Sequence, residues 1–586
     1  MKKRTRISLI SIIIGVLLVL AACGGNSGSS DKTKEVKKDF PLATKGDGKA
    51  KADGVANVAL VSDTPFQGIL NPAFTQGTPD QEIESFFYPS LFGLDKDYNI
   101  ANNGAGKIKF SDNNKKVTVT LDDKLAWSDG KPVTADDYIF AFEVIGNKDY
   151  DGVRYDDTFS GIEGMDGYHA GKADKISGIK KVDDKTVELT YKAANPTLRA
   201  GLWSYPIQKA AFKGIPVAKM SASDPVRKNP VGYGPFKIKS MVTGESVKFV
   251  ANEHYYAGKP KLAGVNLSVA SPDTINESLK QGKYDLALSY PTAQYDPKKV
   301  PSNVTFLGDN DLSYSYLGFK LGHYDKEKQE NVMDKNAKMA DPKLRQAMAY
   351  AMNNAEVGKS LYKGLRTPAN SLIIPNFTSF YDKDLKGYTY DPKKAKKLLA
   401  DAGYTKKDKD GYLLTPDGKP LVIHLASMSG DKIAEPLAKF YIQNWKDIGI
   451  HVELTDGRLM EFNSFYDRIE KDDKDIDIYL GAWGTGTDVN PAGLYSRTSA
   501  FNYSRYVSKE NDKLLAEGQS EKAFDTAYRA DVYKKWQELM VKDAPVVPTL
   551  FRYSLNPVNK RLQGYSLDPE VYNTYQEMYV TDKAAK

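Results

Sequence analysis

An α/β fold with mixed sheets and more than one lobe is expected from three observations on this 586-residue chain. Its length is several times the ~100–200 residues of a typical domain. Residues 420–480 carry the order strand, helix, strand, the unit of a parallel or mixed sheet with a right-handed crossover. Elsewhere, short segments alternate apolar and polar residues with period two, as half-buried strands do.

The elements follow in chain order. Residues 56–62 (ANVALVS) open the folded part with strand character. Residues 116–121 (KVTVTL) and 186–191 (TVELTY) alternate cleanly and read as strands. Asp341-Pro342 supplies an N-cap and a first-turn proline, and Leu344, Ala347, Met348, Ala351 and Met352 follow at helical spacing. Asp391-Pro392 repeats the device with Ala395, Leu398, Leu399 and Ala402 on one face and Gly403 as the stop. These Met and Leu stripes are core, not cofactor boxes. Residues 420–427 (PLVIHLAS) read as a strand, with His424 a satisfied core histidine, and 433–447 as a helix. A strand over 475–480 ends in Gly481-Ala482-Trp483-Gly484. An amphipathic helix over 527–541 precedes an extended segment over 544–551. No repeat of solenoid period is present.

Composition narrows the function classes. A single cysteine excludes internal disulfides, zinc fingers, iron–sulfur clusters and CxxC redox sites. Tyrosine is abundant, 37 against 23 Phe and 5 Trp, which suits wet clefts as well as ordinary boundary packing. Lys2, Lys3, Arg4 and Arg6 carry four of the seven net positive charges, so a chain beginning at Cys23 carries +3. The other basic residues are interspersed with Asp and Glu, which argues against a nucleic-acid partner.

Residues 1–6 are a basic n-region and 7–20 an apolar run shorter than the ~20 residues of a membrane-spanning helix. Leu20-Ala21-Ala22-Cys23 resembles the lipobox of a bacterial lipoprotein signal. That resemblance implies cleavage before Cys23, lipidation of its sulfur, and stable attachment through two acyl chains. A plain secretory signal or an uncleaved anchor is the alternative. Residues 24–55, rich in Gly, Ser, Lys and Asp, read as a flexible tether.

Signatures of catalysis are weak. The five histidines, His169, His254, His323, His424 and His451, show no metal-ligand spacing. There is no GxSxG elbow, Walker lysine or dinucleotide GxGxxG, and Gly484-Thr485-Gly486 is a poor phosphate loop. Cys23 lies in the processing site and is no nucleophile. A carboxylate pair of glycosidase type stays open. The expectation is a protein that is not an enzyme and needs no cofactor or metal.

Six ordered motifs carry a family resemblance. Trp127-Ser128-Asp129-Gly130, Pro132 and Thr134-Ala135-Asp136-Asp137 form a strand end, a tight Asp-Gly turn and a helix capped by Thr134. Trp127 and Asp129 read as turn and packing residues. Asn229-Pro230-Val231-Gly232-Tyr233-Gly234-Pro235-Phe236 follows, then Asn252, Tyr255-Tyr256 and Gly258-Lys259-Pro260. The Asp341 and Asp391 helix starts and Ala544-Pro545 complete the set. Together, from about residue 57 to 580, the chain resembles the oligopeptide-binding (OppA-like, cluster C, family 5) solute-binding proteins of bacterial ABC importers.

The resemblance implies a periplasmic-binding-protein type II clamp of two lobes with an additional domain. Lobe 1 is expected to be discontinuous (57–95, 223–302 and 505–586), the additional domain to cover 96–222, and lobe 2 to cover 303–504. It implies an extended oligopeptide held between the lobes mainly by backbone hydrogen bonds, as in strand addition. Asp488, shortly after Trp483, matches the acidic residue that receives the peptide's α-ammonium, and an Asx turn before Asn490-Pro491 is its alternative. Gly481, Ala482, Trp483 and Gly484 match one backbone edge, with Trp483 as simple core the alternative. Gln76, Gly77 and Thr78 match the other edge. The implied partners are the permease subunits of an ABC transporter and a membrane reached through the lipid on Cys23, with the protein a monomer on the extracytoplasmic face. A peptide-pheromone receptor of the same fold, or a surface-anchored hydrolase, is the rival reading.

Overall fold

The computed structural model describes residues 40–430 and 432–585. The signal-like segment, Cys23 and residues 24–39 of the tether lie outside the described residues.

The local signals produce the elements for visible physical reasons. Val55–Val61 lies between Gly264–Ala270 and Leu286–Leu288 and is parallel to both. A strand covered on both faces needs a near-continuous apolar run, which ANVALV supplies. Lys116–Leu121 is antiparallel in a four-stranded sheet and buries only Val117, Val119 and Leu121. Thr134 caps helix Ala135–Ile145 in a reciprocal pair with Asp137. Asp341 accepts from the Lys343 amide (2.8 Å) and Asp391 from the Lys394 amide (2.9 Å), starting helices Pro342–Ala351 and Pro392–Asp401. Helix Ala434–Asp447 joins two parallel strands, Val422–Ser427 and His451–Leu454. Val422–Ser427 is also parallel to Ile478–Gly484.

Several motif residues prove to be packing devices. A Cβ on Gly232 would stand 1.9 Å from the Phe87 carbonyl oxygen, so only glycine fits there. Trp127 is buried and donates to Asp137 (3.2 Å), while Asp129 closes its turn onto the Lys131 amide (3.1 Å). Arg345 donates to the carbonyls of Met339, Ala340, Asp543 and Ala544, holding the last carbonyls of helix Thr526–Asp543. Ala544 takes the left-handed conformation there (φ 47°) and turns the chain into strand Val546–Asn559. His424 is not core: its side chain is 39% exposed, with Nδ1 3.7 Å from Asp477. The strand alternates, and Ile423 and Leu425 take the buried face.

The large sheet has eleven strands among the described residues. From one edge the order is His451–Leu454, Val422–Ser427, Ile478–Gly484, Val304–Phe319, Val546–Asn559, Leu286–Leu288, Val55–Val61, Gly264–Ala270, Ser246–Ala251 and Phe236–Val242, with Arg366–Pro368 added beside Val546–Asn559. Two long antiparallel strands, Val304–Phe319 and Val546–Asn559, form its middle. One large hydrophobic core draws on residues 314–551 and another on 56–307 and 558–580, with a smaller third cluster of residues between 59 and 306 with Leu365 and Leu555. The long pair enters both. Between the cores its register slips: Asn310 faces Tyr553 and Tyr314 faces Phe551, so three residues oppose one.

Packing corrects the expected domain borders. Leu514, Leu515, Val532, Tyr533, Trp536 and Met540 fill the same core as Tyr316 and Trp445, so 505–551 do not pack with the N-terminal body as the 504/505 border requires. The chain passes into the other core only after Phe551, because the second long strand, not the preceding helices, makes the crossing. Residues 96–222 have their own sheet, yet Trp127 lies 5.9 Å from Tyr88 and 5.5 Å from Tyr233 in one continuous core. No break in packing matches the 95/96 and 222/223 borders.

Candidate functional site

The strand Ile478–Gly484 ends at the waist between the two cores. On one side Gly481, Ala482, Trp483 and Gly484 pair with Tyr316, Ser315, Tyr314 and Ser313, beside the register slip. On the other side pairing with Val422–Ser427 stops at Leu480. Gly481–Gly484 therefore have no strand neighbour on that side, and the Tyr466 hydroxyl faces the backbone of Ala482. Residues 481 and 483 share one face and 482 and 484 the other. A Cβ on Gly481 would lie 2.8 Å from the Tyr316 ring, whereas one on Gly484 would meet nothing closer than 4.0 Å. The edge is thus close-packed on one face and open on the other.

Trp483 is half-buried in an aromatic wall. Its ring stacks on Tyr503 (5.4 Å, 25°), runs parallel to Tyr316 (6.5 Å, 6°) and meets Phe501 edge-on (5.9 Å, 80°). Phe501 is exposed beside it. The wall rests on charge: the Tyr503 carbonyl accepts from Lys320 Nζ (3.2 Å), which also pairs with Asp472.

Asp488 follows in the loop after the strand. Its Oδ1 accepts from the Asn490 amide (3.2 Å), the Asx turn, and from Arg529 Nη2 (3.3 Å). Arg529 is 4% exposed, donates also to the Gly518 carbonyl (3.2 Å), and lies over the Phe380 and Tyr533 rings. Asp488 therefore already has a cationic partner, which weakens its pull on a ligand ammonium. Sequence reasoning missed Arg529. The signal was available: in helix Thr526–Asp543 it shares a stripe with the buried Val532, Tyr533, Trp536 and Met540.

Gln76, Gly77 and Thr78 do not form a strand edge. Thr78 begins helix Thr78–Phe87, and the Gly77 carbonyl accepts from the Asp80 and Gln81 amides. Pro79 in the first turn favours that helix. The preceding turn is pinned by Arg154, which donates to the carbonyls of Pro72 (3.2 Å) and Thr75 (2.6 Å). Thr75 in turn donates to the buried Glu84, whose carboxyl is pushed up to about 8, chiefly by burial. Among the described residues no backbone hydrogen bond joins 76–78 to 481–484.

The two cores also touch directly. Asp97 accepts from Thr378 Oγ1 (3.0 Å) and from the Ser379 amide (2.8 Å) and hydroxyl (2.5 Å). Tyr98 Oη accepts from Asn376 (3.2 Å), Arg199 donates to the Phe524 carbonyl (3.0 Å), and Asn490 reaches Thr197 (3.5 Å). The Asp488 loop therefore lies at the seam. Among the described residues no group of His, Cys, Asp and Glu could hold a metal ion, and no helix is long and apolar enough to cross a membrane.

Comparison with known proteins places this architecture. The family model for bacterial extracellular solute-binding proteins, family 5 (middle region), matches residues 99–505. The chain belongs to this family. A family 5 relative, the oligopeptide-binding protein OppA of Lactococcus lactis subsp. cremoris, is 35% identical over 98% of both chains. The solved structure of lactococcal OppA, complexed with an endogenous peptide in the closed conformation, matches with a TM-score of 0.76 and 34% identity over 90% of this chain and 100% of that one. The family 5 fold is the type II clamp expected from the motifs, a mixed α/β structure of two lobes. Another similar protein carries another ligand name: the heme-binding protein A of Haemophilus influenzae is 26% identical over 70% of both chains.

Proposed function

We propose that this protein captures oligopeptides outside the cell and delivers them to the permease of an ABC transporter, without making or breaking a bond. The observation that carries this reading is the edge of Gly481–Gly484, which has the Tyr466 hydroxyl at Ala482 but no neighbouring strand among the described residues, at the waist between two cores. Its backbone groups suit an added strand, and backbone bonding accepts many side-chain sequences. The near-full-length relative named for oligopeptide binding supports the same ligand class. In this reading Trp483, Tyr503 and Phe501 pack against the ligand, and Ala482 and Gly484 face it. Asp488 acts through Arg529 and the seam loop rather than as a bare counter-ion. Gln76, Gly77 and Thr78 contribute a helix start at the cleft rim. Cys23 carries the lipid that ties the monomer to the extracytoplasmic face of the membrane.

Native mass spectrometry of protein purified without added ligand is expected to show a ladder of peptide masses; an empty protein overturns the reading. With a defined synthetic oligopeptide, N-methylation of a backbone amide in the edge-paired stretch should weaken binding by about tenfold, the worth of one hydrogen bond. Exchanging one ligand side chain for alanine should change affinity less. N-terminal acetylation should also cost less than about tenfold, because Arg529 already neutralises Asp488. Titration calorimetry checks all three, and a loss of several orders of magnitude on acetylation restores Asp488 as the ammonium site.

A further inference from the structure

The gap beside Gly481–Gly484 has a structural cause. Strand Val422–Ser427 runs parallel to Ile478–Gly484 only as far as Leu480. Beyond that point its chain turns onto Met460. The Ser427 carbonyl accepts from the Met460 amide (2.9 Å), and the Met460 carbonyl accepts from the Ser429 amide (2.7 Å) and hydroxyl (3.0 Å). Helix Phe462–Glu470 starts just after Met460, with Glu461 accepting from the Ser464 amide (3.1 Å). The helix is firmly anchored. Phe465 and Ile469 are fully buried, and Arg468 pairs with Asp473 (2.5 Å) and with Asp456. Tyr466 stands on this helix beside the gap. It is half-buried, with its ring 4.9 Å from Phe462, 5.0 Å from Phe465 and 6.1 Å from Tyr503.

The ladder decides what the gap offers. The Thr485 amide donates to the Leu312 carbonyl (2.8 Å), and Gly484, Trp483, Ala482 and Gly481 face Ser313, Tyr314, Ser315 and Tyr316 in register. Alternate residues of an antiparallel pair turn their amide and carbonyl to the neighbouring strand. Residues 481, 483 and 485 therefore bond inward, and Ala482 and Gly484 turn their groups out to the gap. An added strand needs those groups. At Ala482 the amide is already met, because the Tyr466 hydroxyl stands there. The hydroxyl thus covers a polar group that a sheet edge otherwise leaves without a partner.

We propose that Tyr466 is a built-in competitor for the peptide edge: its hydroxyl holds the Ala482 amide while no ligand is bound, and a backbone carbonyl of the ligand has to displace it. The inference rests on the peptide-capture reading above. The ring has a place to go. Phe462 lies one turn earlier on the same helix and is 58% exposed, so a rotamer change carries Tyr466 off the edge along a ring it already touches. The displaced hydroxyl passes to water while the ligand takes the amide. One hydrogen bond is exchanged for another, and the site binds more weakly than a bare edge would. Such a ceiling on affinity suits a carrier that has to release its cargo.

Tyr466→Phe keeps the ring and removes only the hydroxyl. The variant should bind a defined synthetic oligopeptide about fivefold more tightly than the wild type, the net worth of one hydrogen bond. Without ligand, the Ala482 amide should exchange with deuterium about fivefold faster in the variant, read by mass spectrometry of a fragment spanning 478–484. With saturating oligopeptide the two proteins should exchange alike there. Equal or weaker oligopeptide binding by Tyr466→Phe overturns the proposal, since the hydroxyl is then neutral or a ligand contact. Unchanged exchange at Ala482 without ligand overturns it too. A wild type that binds no oligopeptide rejects the capture reading itself, and the competitor falls with it.

Discussion

Replacing Asp472 by alanine is expected to lower stability by about 3–5 kcal/mol, the cost of leaving buried charge uncompensated. Asp472 is 13% exposed and stands between Arg505 (1%) and Lys320 (8%). Its Oδ1 accepts from Arg505 Nε (2.7 Å) and from Lys320 Nζ, and its Oδ2 from the Tyr324 amide (2.8 Å). One carboxylate thus serves two cations, and the variant strands both. Burial, the largest influence, pushes the Lys320 amine down to about 8 from its usual 10.5, with Asp472 opposing. The sign of the pH dependence follows. Between about pH 8 and 10.5 the folded protein has lost the Lys320 proton while the unfolded chain retains it, so stability rises with pH. The gain should approach about 3 kcal/mol across that window. Urea unfolding of the wild type and of Lys320→Met isolates it: their difference should change steadily from pH 8 to 10, and a flat difference rejects the assignment. Because Lys320 also holds the Tyr503 carbonyl, Asp472→Ala should loosen the Trp483 wall as well.

Asp97→Ala should raise the apparent Kd for an oligopeptide by about one to two orders of magnitude without touching the ligand. Asp97 receives three hydrogen bonds from Thr378 and Ser379 across the seam. Hydrogen bonds to a charged group contribute ~1.5–3 kcal/mol each, and the loss is softened by water returning to the opened seam. In the clamp reading these bonds form as the lobes close, so the variant lowers the closed population and apparent affinity falls by the same factor. Small-angle scattering of the liganded variant should give a larger radius of gyration than the liganded wild type, and Asp97→Asn should recover part of both effects. Wild-type affinity together with unchanged scattering would show that these contacts do not govern closure.

What the sequence revealed depended on how far away the cause lay. Thr134 with Asp137, Asp341 and Asp391 start helices through bonds to residues two or three positions on, and the motif is complete in the local string. Lys116–Leu121 alternates because one sheet face is buried, a property of each strand alone. The length of Val304–Phe319 has no local signature, because its burial is set by Val546–Asn559, more than two hundred residues later. The misplaced 504/505 border has the same origin. At the candidate site, Trp483 and the glycines around it stand together in the local string, but Tyr503, Tyr316 and Arg529 reach it through tertiary packing. Gln76–Thr78 differ for another reason: Pro79 and Asp80 spell a helix start, which the family resemblance alone does not show.

The crossing of the long strands also sets an order of assembly. The core that begins with Ala56, Val58 and Leu60 is sealed by Val558, Leu562, Met578 and Val580, at the far end of the chain. Nearly all buried apolar residues from 314 to 551 belong to the other core and lie between these two halves in sequence. A nascent chain can complete the inserted body first, while the N-terminal body waits, its apolar strands uncovered, for its last thirty or so residues. Shortened from its C-terminus, this protein would lose the lid of the body it began to build first, and a proteolytic nick near residue 560 should be felt at residue 58.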